Sequence, residues 1–289
     1  MELLDFLPKQ LKTRYLPWSP IKIMPLGDIQ LGSQGCDVDR LQRHVDWGVR
    51  NGVYFIGMGD YSDFLSPSNR QRLRGASLYD TAQQLIDEWH LRHLDQLKDI
   101  LAPTRGRWIG LLEGHHFHEF DAGGTTDTLL AEYLGIPFLG TCAIVRLNFR
   151  DEANKRSVSA HIWAHHGEGS GATVAAPFNK LERASSFVEA ADVLLMGHYH
   201  RAGALLINKL RVAGHSKPRL RHRTVALVAT GSFLKGYQQG SRAAGRASGS
   251  YVERGILPPT ALGNVVVTLT PRHADSEDFF DIACTTMSI

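Results

Sequence analysis

The sequence predicts a layered α/β fold, and three features support that prediction. Short apolar runs typical of buried strands alternate with amphipathic segments in the first half of the chain, and the second half is rich in strand-like runs. Motifs that contain Asp or His follow several of these runs, at the carboxyl ends where open α/β sheets place their sites. With 289 residues, 43% of them hydrophobic and 21% charged, the chain can bury a substantial core.

The first half predicts strands and helices in alternation after an irregular lead-in at residues 1–20, which contain three prolines. The predicted strands are 21–26, 53–58 and 108–112, and the predicted helices are 38–50, 81–101 and 126–134. Apolar residues of the first helix follow the helical period, and Asp37 is its expected N-cap. We expect the second helix to pack one broad apolar face into the core, formed by Leu85, Ile86, Trp89, Leu94, Leu97 and Leu101.

The second half predicts mainly strands. The predicted strands are 142–149, 158–164, 193–196, 204–207, 225–229 and 265–269, with one helix at 179–191. Residues 231–256 are rich in Gly, Ser and Arg, and we expect a long loop there. The sequence contains no internal repeat and no obvious linker, so we expect residues 1–289 to form a single domain.

Composition excludes several classes of protein. No apolar run approaches the roughly 20 residues that a membrane span needs, so no membrane association is expected. The N-terminus lacks the basic and small-residue features of a secretory signal. Cys36, Cys142 and Cys284 are scattered and odd in number, which predicts a reducing, cytoplasmic location and argues against both a disulfide framework and a thiolate zinc site.

Basic residues are concentrated in residues 193–252. This stretch has ten Lys or Arg and no Asp or Glu, which leaves 22 basic and 29 acidic residues in the rest of the chain. Such asymmetry indicates attraction for a polyanion, for example nucleic acid, or for a phosphorylated substrate; a solvated surface loop is the alternative.

Five short motifs carry the chemistry, and each follows a predicted strand. They are Gly27-Asp28-Ile29-Gln30, Gly59-Asp60-Tyr61-Ser62-Asp63, Gly114-His115-His116, His165-His166-Gly167 and Gly197-His198-Tyr199-His200. Carboxylates with imidazoles suit Mn, Fe, Zn or Mg better than copper or a thiolate metal. The motifs therefore predict a site for two divalent ions, with Asp60 as the natural bridge and Asp28 as a ligand of one ion.

This succession of motifs resembles the calcineurin-like metallophosphoesterase superfamily, including its phage and bacterial members, over residues 21–201. The resemblance implies a four-layer α/β/β/α sandwich with two mixed sheets. It implies one ion held by Asp28, Gln30, Asp60 and His200 and a second held by Asp60, His115, His166 and His198. Mn²⁺ is the expected metal, with Fe, Zn or Mg as alternatives. Gln30 stands where the family has His, and His115 stands where it has Asn.

The resemblance also implies a mechanism, in which a hydroxide that bridges the ions attacks a phosphomonoester or phosphodiester. His116 is the expected catalytic residue, which would protonate or stabilise the leaving oxygen. Phe117 stands where the family has the acid that orients this His; Glu119 or Asp121 are the candidates for that role. Asp63 is interpreted as a cap or a hydrogen-bond partner of a backbone amide, and His166 is favoured over His165 because it directly precedes Gly167.

Three functional hypotheses remain open from the sequence. The first is a phosphoesterase, a phosphatase, phosphodiesterase or nuclease, whose substrate and oligomeric state the motifs do not define. The second is a catalytically weak or inactive binding or scaffold protein of the same fold, which Gln30 and Phe117 favour. The third is nucleic-acid binding alone, through the basic stretch 193–252.

Overall fold

The structure is a computed structural model that describes residues 12–76, 78–121, 123–169, 171, 173–213, 218–242, 249–274 and 277–289. It has a mixed α/β fold, as predicted, with one large curled sheet and helices packed on it. The strands are β1 Lys12–Pro17, β2 Ile21–Leu26, β3 Tyr54–Gly57, β4 Trp108–Leu112, β5 Phe138–Gly140, β6 Cys142–Asp151, β7 Arg156–His165, β8 Val193–Met196, β9 Ala202–Ala213, β10 Arg219–Ser232, β11 Gly263–Ala274 and β12 Glu277–Met287. The helices are α1 Val38–Arg50, α2 Pro67–Arg74, α3 Asp80–Leu101, α4 Thr126–Leu134, α5 Ala176–Phe187 and α6 Tyr251–Arg254.

The sheet has the strand order β1-β6-β7-β8-β10-β11-β2-β3-β4-β5, with β9 paired to β10 and β12 paired to β11. Strands β2 to β5 run parallel to one another, and β7 runs parallel to β8. The carboxyl ends of these strands therefore meet at one edge of the sheet. Between the two groups of strands, β10 and β11 pair through only two residue pairs, Gly231 with Asn264 and Ser232 with Gly263.

Three clusters of buried side chains hold the fold together. One joins the inner faces of β6, β7 and β8 to those of β3 and β11, for example through Val145, Ile162 and Val267. Another packs α1, α3 and α4 onto β2 to β4, and a third packs α5 onto β7, β8 and β10. Because burial of apolar area is the main favourable term in folding, these three clusters fix which strand ends come together.

Several predicted elements agree with the structure residue for residue. These are β2, α1, β4, α4 and β8. Asp37 caps α1, as expected, because its side chain accepts a hydrogen bond from the backbone N–H of Arg40. In each case a strong apolar period coincides with a clear start or stop residue.

Four predictions about elements need correction. Residues 12–17 of the expected lead-in form β1, which pairs in parallel with β6 at the edge of the sheet; residues 1–11 lie outside the described residues. The helix expected at 179–191 begins earlier and ends earlier, at Ala176–Phe187. Strand β12 was not expected. On α3 only the second half is buried, and Leu85 and Trp89 are 67% and 46% exposed.

The expected long loop at 231–256 includes regular structure at both of its ends. Gly231 and Ser232 end β10, and the single turn of α6 lies near its end; residues 243–248 lie outside the described residues. Among the described residues no helix has both the length and the apolar character needed to cross a membrane.

Candidate metal centre

The predicted ligands lie just beyond the ends of parallel strands. Asp28 follows β2, Asp60 follows β3 and His115 follows β4, while His166 follows β7 and His198 follows β8. The first three come from one side of the β10–β11 pairing and the last two from the other. The fold brings all five to one place because those strands run in the same direction.

The backbone at these positions is unusual. Eight non-glycine residues among those described have a positive φ, and five of them are predicted ligands: Asp28, Gln30, Asp60, His198 and His200. This region of φ is sparsely populated for residues with a Cβ and costs on the order of 1–3 kcal/mol at each residue. Such strain concentrates at functional sites, where the surrounding structure fixes it.

Two groups of side chains are close enough to hold a cation each. Within each group the nitrogen and oxygen atoms that could ligate lie within 4.8 Å of one another: Asp28, Asp60 and His166 in one, and His115, His166 and His198 in the other. His166 belongs to both groups, and its Nε2 lies 3.4 Å from Oδ2 of Asp60. The structure thus places five of the seven predicted ligands in two overlapping groups.

The remaining two predicted ligands lie beside these groups. His200 Nε2 is 3.5 Å from Oδ1 of Asp28, on the side of the first group. The side chain of Gln30 is buried and its Nε2 donates a hydrogen bond to Oδ2 of Asp60, at 3.1 Å. In this orientation the amide nitrogen of Gln30 faces the carboxylate of Asp60. The amide oxygen, which is the atom that could bind a cation, does not.

Two buried atoms of this cluster lack a hydrogen-bond partner, Oδ1 of Asp28 and Nε2 of His166. Nδ1 of His166 lies 2.7 Å from the carbonyl oxygen of Met58, so Nδ1 carries a proton and Nε2 is the nitrogen that a cation could bind in place of a second proton. A histidine that binds a metal commonly donates its other N–H to a carbonyl in this way. Since an unpaired buried polar atom is costly, the donor set fits a divalent cation.

Asp60 is the most tightly held carboxylate of the cluster. Its Oδ1 accepts backbone hydrogen bonds from His115 at 2.5 Å and from His116 at 3.1 Å. Burial by itself would raise the pKa of Asp60, but the charge of His166, the charge of His116 and the backbone hydrogen bond from His115 outweigh burial and hold the pKa well below its usual range. Asp60 is therefore an anion across the physiological range.

The imidazoles differ in their proton affinity. Burial lowers the pKa of His115 to about 4, and the neighbouring His166 adds to this effect. Burial opposes protonation of His166 as well, but the carboxylate of Asp60 raises its pKa to about 9. Burial also lowers the pKa of His198, whose Nε2 lies 2.6 Å from the carbonyl oxygen of Gly169. His115 and His198 are thus neutral donors, while a cation bound at His166 would replace a proton.

His116 points across the cluster towards two acids. Its Nδ1 lies 3.0 Å from Oδ1 of Asp63, and its Nε2 lies 3.9 Å from Oδ2 of Asp60. Burial lowers the pKa of His116, but the hydrogen bond to Asp63 and the charge of Asp60 exceed that effect and raise it. His116 is 28% exposed, so it borders solvent and can exchange a proton with a bound molecule.

The partner of His116 differs from the sequence-based candidates. Asp63 supplies the carboxylate, whereas Glu119 pairs with Arg74 and lies 3.9 Å from Arg70. Phe117, at the position of the expected acid, packs its ring under the guanidinium of Arg70 at 3.8 Å. The spacing of Gly59-Asp60-x-x-Asp63 could have predicted this partner. Its second acid follows the end of β3 only three residues after Asp60, so it lies close to the cluster.

A buried acid that the sequence analysis did not single out holds the backbone at the end of β4. Asp127, near the start of α4, is 4% exposed, and its Oδ2 accepts a hydrogen bond from the backbone N–H of Gly114 at 3.0 Å. Burial raises the pKa of Asp127 to about 7. The bond holds the backbone that carries His115 and His116 against the start of α4.

Two nearby histidines lie outside the cluster. His165 accepts a hydrogen bond from the backbone N–H of Gly167 and stacks on Trp163, so His166 is the member of this pair in the cluster. His118 is buried and stacks on His90 with ring centres 3.8 Å apart. Both take part in packing rather than in the groups described above.

The basic stretch 193–252 is divided in space. Arg201 and Lys235 lie near the cluster, whereas Lys209, Arg211 and Arg219 lie on the hairpin of β9 and β10. With about 3.3 Å per residue along a strand, Arg211 is roughly 30 Å from the start of β9. Arg223 pairs with Asp192, and Arg221 lies 3.6 Å from Glu277. The stretch does not form one continuous track to the cluster; Lys217 and Arg246 lie outside the described residues.

No protein-family model matches this chain. No curated protein matches it either.

Solved structures with a related arrangement share little sequence with the chain. Vacuolar Protein Sorting 29 from Cryptosporidium parvum is 14% identical over 93% of this chain and 100% of that one, with a TM-score of 0.34. A conserved uncharacterized protein of Streptococcus pneumoniae TIGR4, described as a predicted phosphoesterase, is 13% identical over 93% and 90%, with a TM-score of 0.33. GAP50, the anchor in the inner membrane complex of Plasmodium, is 11% identical over 93% and 85%, with a TM-score of 0.47. Similarity of this degree assigns neither family nor activity to the chain.

Proposed function

We propose that this protein is a metal-dependent phosphoesterase of the calcineurin-like type, which hydrolyses a phosphomonoester or a phosphodiester. The observation that carries the proposal is the pair of overlapping donor groups, in which Oδ1 of Asp28 and Nε2 of His166 are buried without a partner. The two atoms lie 3.5 Å from Nε2 of His200 and 3.4 Å from Oδ2 of Asp60, respectively, so potential ligand atoms converge there without forming hydrogen bonds to one another.

The ligand assignment follows the five motifs. Asp28, Asp60 and His200, with Gln30 beside them, would hold one ion, and Asp60, His115, His166 and His198 would hold the second. Mn²⁺ is the first choice, and Fe, Zn and Mg are the alternatives. Two bound ions would polarise the phosphoryl oxygens and lower the pKa of bound water.

The chain's own residues supply the rest of the chemistry. The carboxylate of Asp60, fixed by the backbone amides of His115 and His116, belongs to one donor group and lies 3.4 Å from His166, the residue that both groups share. His116 is the catalytic residue of the proposal: its protonated ring would donate a proton to the leaving oxygen, and such help contributes about 10²–10⁴ in rate. Asp63 holds that ring in place through Nδ1 and keeps Nε2 directed at the cluster.

We also propose the finer architecture, a single domain with a four-layer α/β/β/α sandwich. The three core clusters support it: helices α1, α3 and α4 cover one face, α5 covers another, and the remaining cluster lies between strands of the two sides. A cytoplasmic location is part of the proposal; no disulfide joins the three cysteines among the described residues.

The experiment combines metal analysis with hydrolysis of bis(p-nitrophenyl) phosphate in the presence of Mn²⁺. We expect up to two ions per chain in the parent and a loss of both metal and turnover in Asp60→Asn. His116→Ala should keep its metal and lose turnover by at least 100-fold, because general acid help is worth about that much. Metal-loaded parent protein that hydrolyses neither monoesters nor diesters with any of Mn²⁺, Fe²⁺, Zn²⁺ or Mg²⁺ would refute the enzyme.

That negative result would favour the second candidate, a scaffold protein of the same fold. Gln30 supports this candidate, because its amide nitrogen faces Asp60 where a coordinating side chain is expected. A nucleic-acid-directed activity is the remaining alternative within the enzyme proposal. It predicts a steep salt dependence of DNA retention that Lys235→Gln reduces, since phosphate contacts release counterions.

A further inference from the structure

A cavity of about 380 Å³ opens directly beside the candidate metal centre. One side of it is formed by the cluster, including Asp60, His116 and His200. The facing side is formed by residues 234, 236, 252 and 257–260, which place Leu234, Val252, Leu257, Pro258 and Pro259 against the cavity, with Thr260 beside them. Among the described residues that line it, the only carboxylates are Asp60 and Asp63, both on the cluster side.

The apolar wall is held in position by backbone contacts at several points. The backbone N–H of Lys235 donates to the carbonyl oxygen of Gly35, at 2.8 Å. The backbone N–H of Leu257 donates to Val252, and the hydroxyl of Tyr237 donates to the carbonyl oxygen of Leu257. These contacts make the wall a formed surface that a ligand meets in place.

One further contact ties this wall to the cluster itself, and another packs the wall internally. Arg201, the residue after His200, donates from Nη1 to the carbonyl oxygen of Pro259, at 3.4 Å. At Gly236 an added Cβ would lie 2.6 Å from Cγ1 of Val252, so the two sides of the segment are in close packing. The distance between the apolar wall and the cluster is therefore set by the fold.

The size and chemistry of the cavity indicate what it can hold. Small-molecule sites are mostly apolar with a few polar groups and have volumes from about 300 to 1,000 Å³. A cavity near the lower limit accepts one ring or one branched alkyl group. A phosphate backbone needs basic or polar walls along its track. Here the wall opposite the cluster is apolar except for Thr260, and Arg201, directly after His200, is the one Lys or Arg among the described lining residues.

We propose that this cavity binds the non-phosphoryl part of the substrate, and that this part is a small apolar group such as a single ring. The inference rests on the proposed function for the phosphoryl end, which the metal centre would hold. It adds the substrate class: a phosphoester of a small apolar alcohol rather than of a sugar or a polynucleotide. Leu257 and Val252 are the residues that would determine this specificity.

The test is a binding experiment with phosphonates, which keep the anionic end and cannot be hydrolysed. Calorimetry on the Mn²⁺-loaded protein compares benzylphosphonate with methylphosphonate, which differ only in the apolar ring. We expect benzylphosphonate to bind at least 10-fold more tightly. Leu257→Asn and the isosteric Val252→Thr should each remove most of that difference while leaving the affinity for methylphosphonate and the metal content unchanged.

A matched control is Leu220→Asn on β10, because Leu220 is 65% exposed and lies outside the cavity. This variant should retain the parent preference. Equal affinity of the parent for the two phosphonates, equal losses for both in the two cavity variants, or tighter binding of a tetranucleotide than of benzylphosphonate would overturn the inference.

The same variants separate this inference from the proposed function. Benzyl phosphate and glycerol 3-phosphate are both esters of primary alcohols. A difference between their hydrolysis rates therefore reports how the cavity accepts the two alcohols rather than how well they leave. A parent that binds benzylphosphonate selectively but hydrolyses neither these esters nor bis(p-nitrophenyl) phosphate would refute the enzyme and leave the cavity assignment standing. A parent that hydrolyses both esters equally, with no selectivity between phosphonates, would refute the cavity assignment alone.

Discussion

At the scale of single residues, the cluster depends on how closely two strand ends approach. Gly114 lies against Asp60, and a methyl group at Gly114 would overlap the backbone nitrogen and Oδ1 of Asp60. Asp127 fixes Gly114 from the other side through its backbone N–H. The position of the central carboxylate is thus set by a contact that only glycine allows.

We predict that Gly114→Ala loses bound metal almost completely while the protein remains folded. The added methyl group has to displace Asp60, and a shift of about 1 Å is enough to disrupt a positioned site. Metal content by atomic emission and circular dichroism measure the two properties. The control is Gly75→Ala at the end of α2, where the nearest atoms would lie 3.6 Å away; full metal content in Gly114→Ala would contradict the geometry.

We also predict that Asp63→Asn lowers kcat by about 10-fold or more and leaves the metal content unchanged. The amide cannot accept and stabilise the Nδ1 proton of His116 as a carboxylate does, so the ring is held less firmly. Glu119→Gln is the matched control, because Glu119 pairs with Arg74 instead. A larger effect of Glu119→Gln than of Asp63→Asn would show that the assignment of the partner is wrong.

At the scale of elements, α1 is joined to β11 and to the C-terminus through one histidine. His44 is fully buried, with Nδ1 3.0 Å from Oδ1 of Asn264, and its Nε2 accepts the backbone N–H of Ile289. Both ring nitrogens are satisfied only in the neutral tautomer that carries its proton on Nδ1. A second proton, on Nε2, would point at the backbone N–H of Ile289, which is itself a donor. Burial also lowers the pKa of His44, to about 4.

We predict that this contact makes the protein acid-sensitive. The pKa of His44 is lower in the folded state than the 6.5 of an ordinary histidine, so its contribution to stability is complete above about pH 6.5 and is lost as pH falls towards 4. At about 1.4 kcal/mol per pKa unit, the loss is on the order of 3 kcal/mol. Urea unfolding of the parent and of His44→Gln between pH 7.5 and 4.5 measures it.

The parent should lose more free energy of unfolding over that interval than His44→Gln, which has no imidazole to protonate. His222→Gln serves as the control, because His222 is exposed on β10. Parallel pH profiles for the parent and His44→Gln would contradict this account.

Elements with a strong apolar period and a defined end could be predicted from the sequence, and weakly patterned ones could not. Strand β12 carries Glu277, Asp278 and Asp281 among its apolar residues, which hides its alternation; Phe280, Ile282 and Cys284 nonetheless point to the core. Strand β1 is short and lies at an edge, where burial is slight. The exposure of Leu85 and Trp89 on α3 depends on which neighbours reach that helix, which no local pattern encodes.

The same distinction applies to the site. The predicted strand ends were enough to bring five of the ligands together, because the carboxyl ends of parallel strands share an edge. These are Asp28, Asp60, His115, His166 and His198. The partner of His116 and the role of Asp127 depend on side-chain directions and on the packing of α4, so they required the structure. The orientation of the Gln30 amide towards Asp60 belongs to the same class.

At the scale of the whole molecule, the donor groups combine residues from the strands on both sides of the β10–β11 pairing. We predict that Mn²⁺ stabilises the fold, because a ligand that binds only the folded state at 100 times its Kd adds about 2.7 kcal/mol. For a chain of this size that corresponds to roughly 4–5 °C in Tm. Thermal unfolding with Mn²⁺ and with EDTA measures the shift, and Asp60→Asn should abolish it.

A histidine outside the cluster provides the control for that experiment. His273 is paired with Asp278 near the far end of β11, so His273→Asn should keep the full Mn²⁺ shift. An equal loss of the shift in both variants would mean that Mn²⁺ acts at other sites.

The two-pair junction of β10 and β11 has a mechanical consequence. Gly231 lies so close to the carbonyl of Gly263 that no side chain fits between the strands, and the two ladder pairs act together with the buried cluster that joins β6, β7 and β8 to β3 and β11. Asp28 and Asp60 stand on one half, and His166 and His198 on the other. Cations held across this junction would tie the two halves together at their strand ends, so we expect metal loading to slow amide exchange at Ser232 and Asn264.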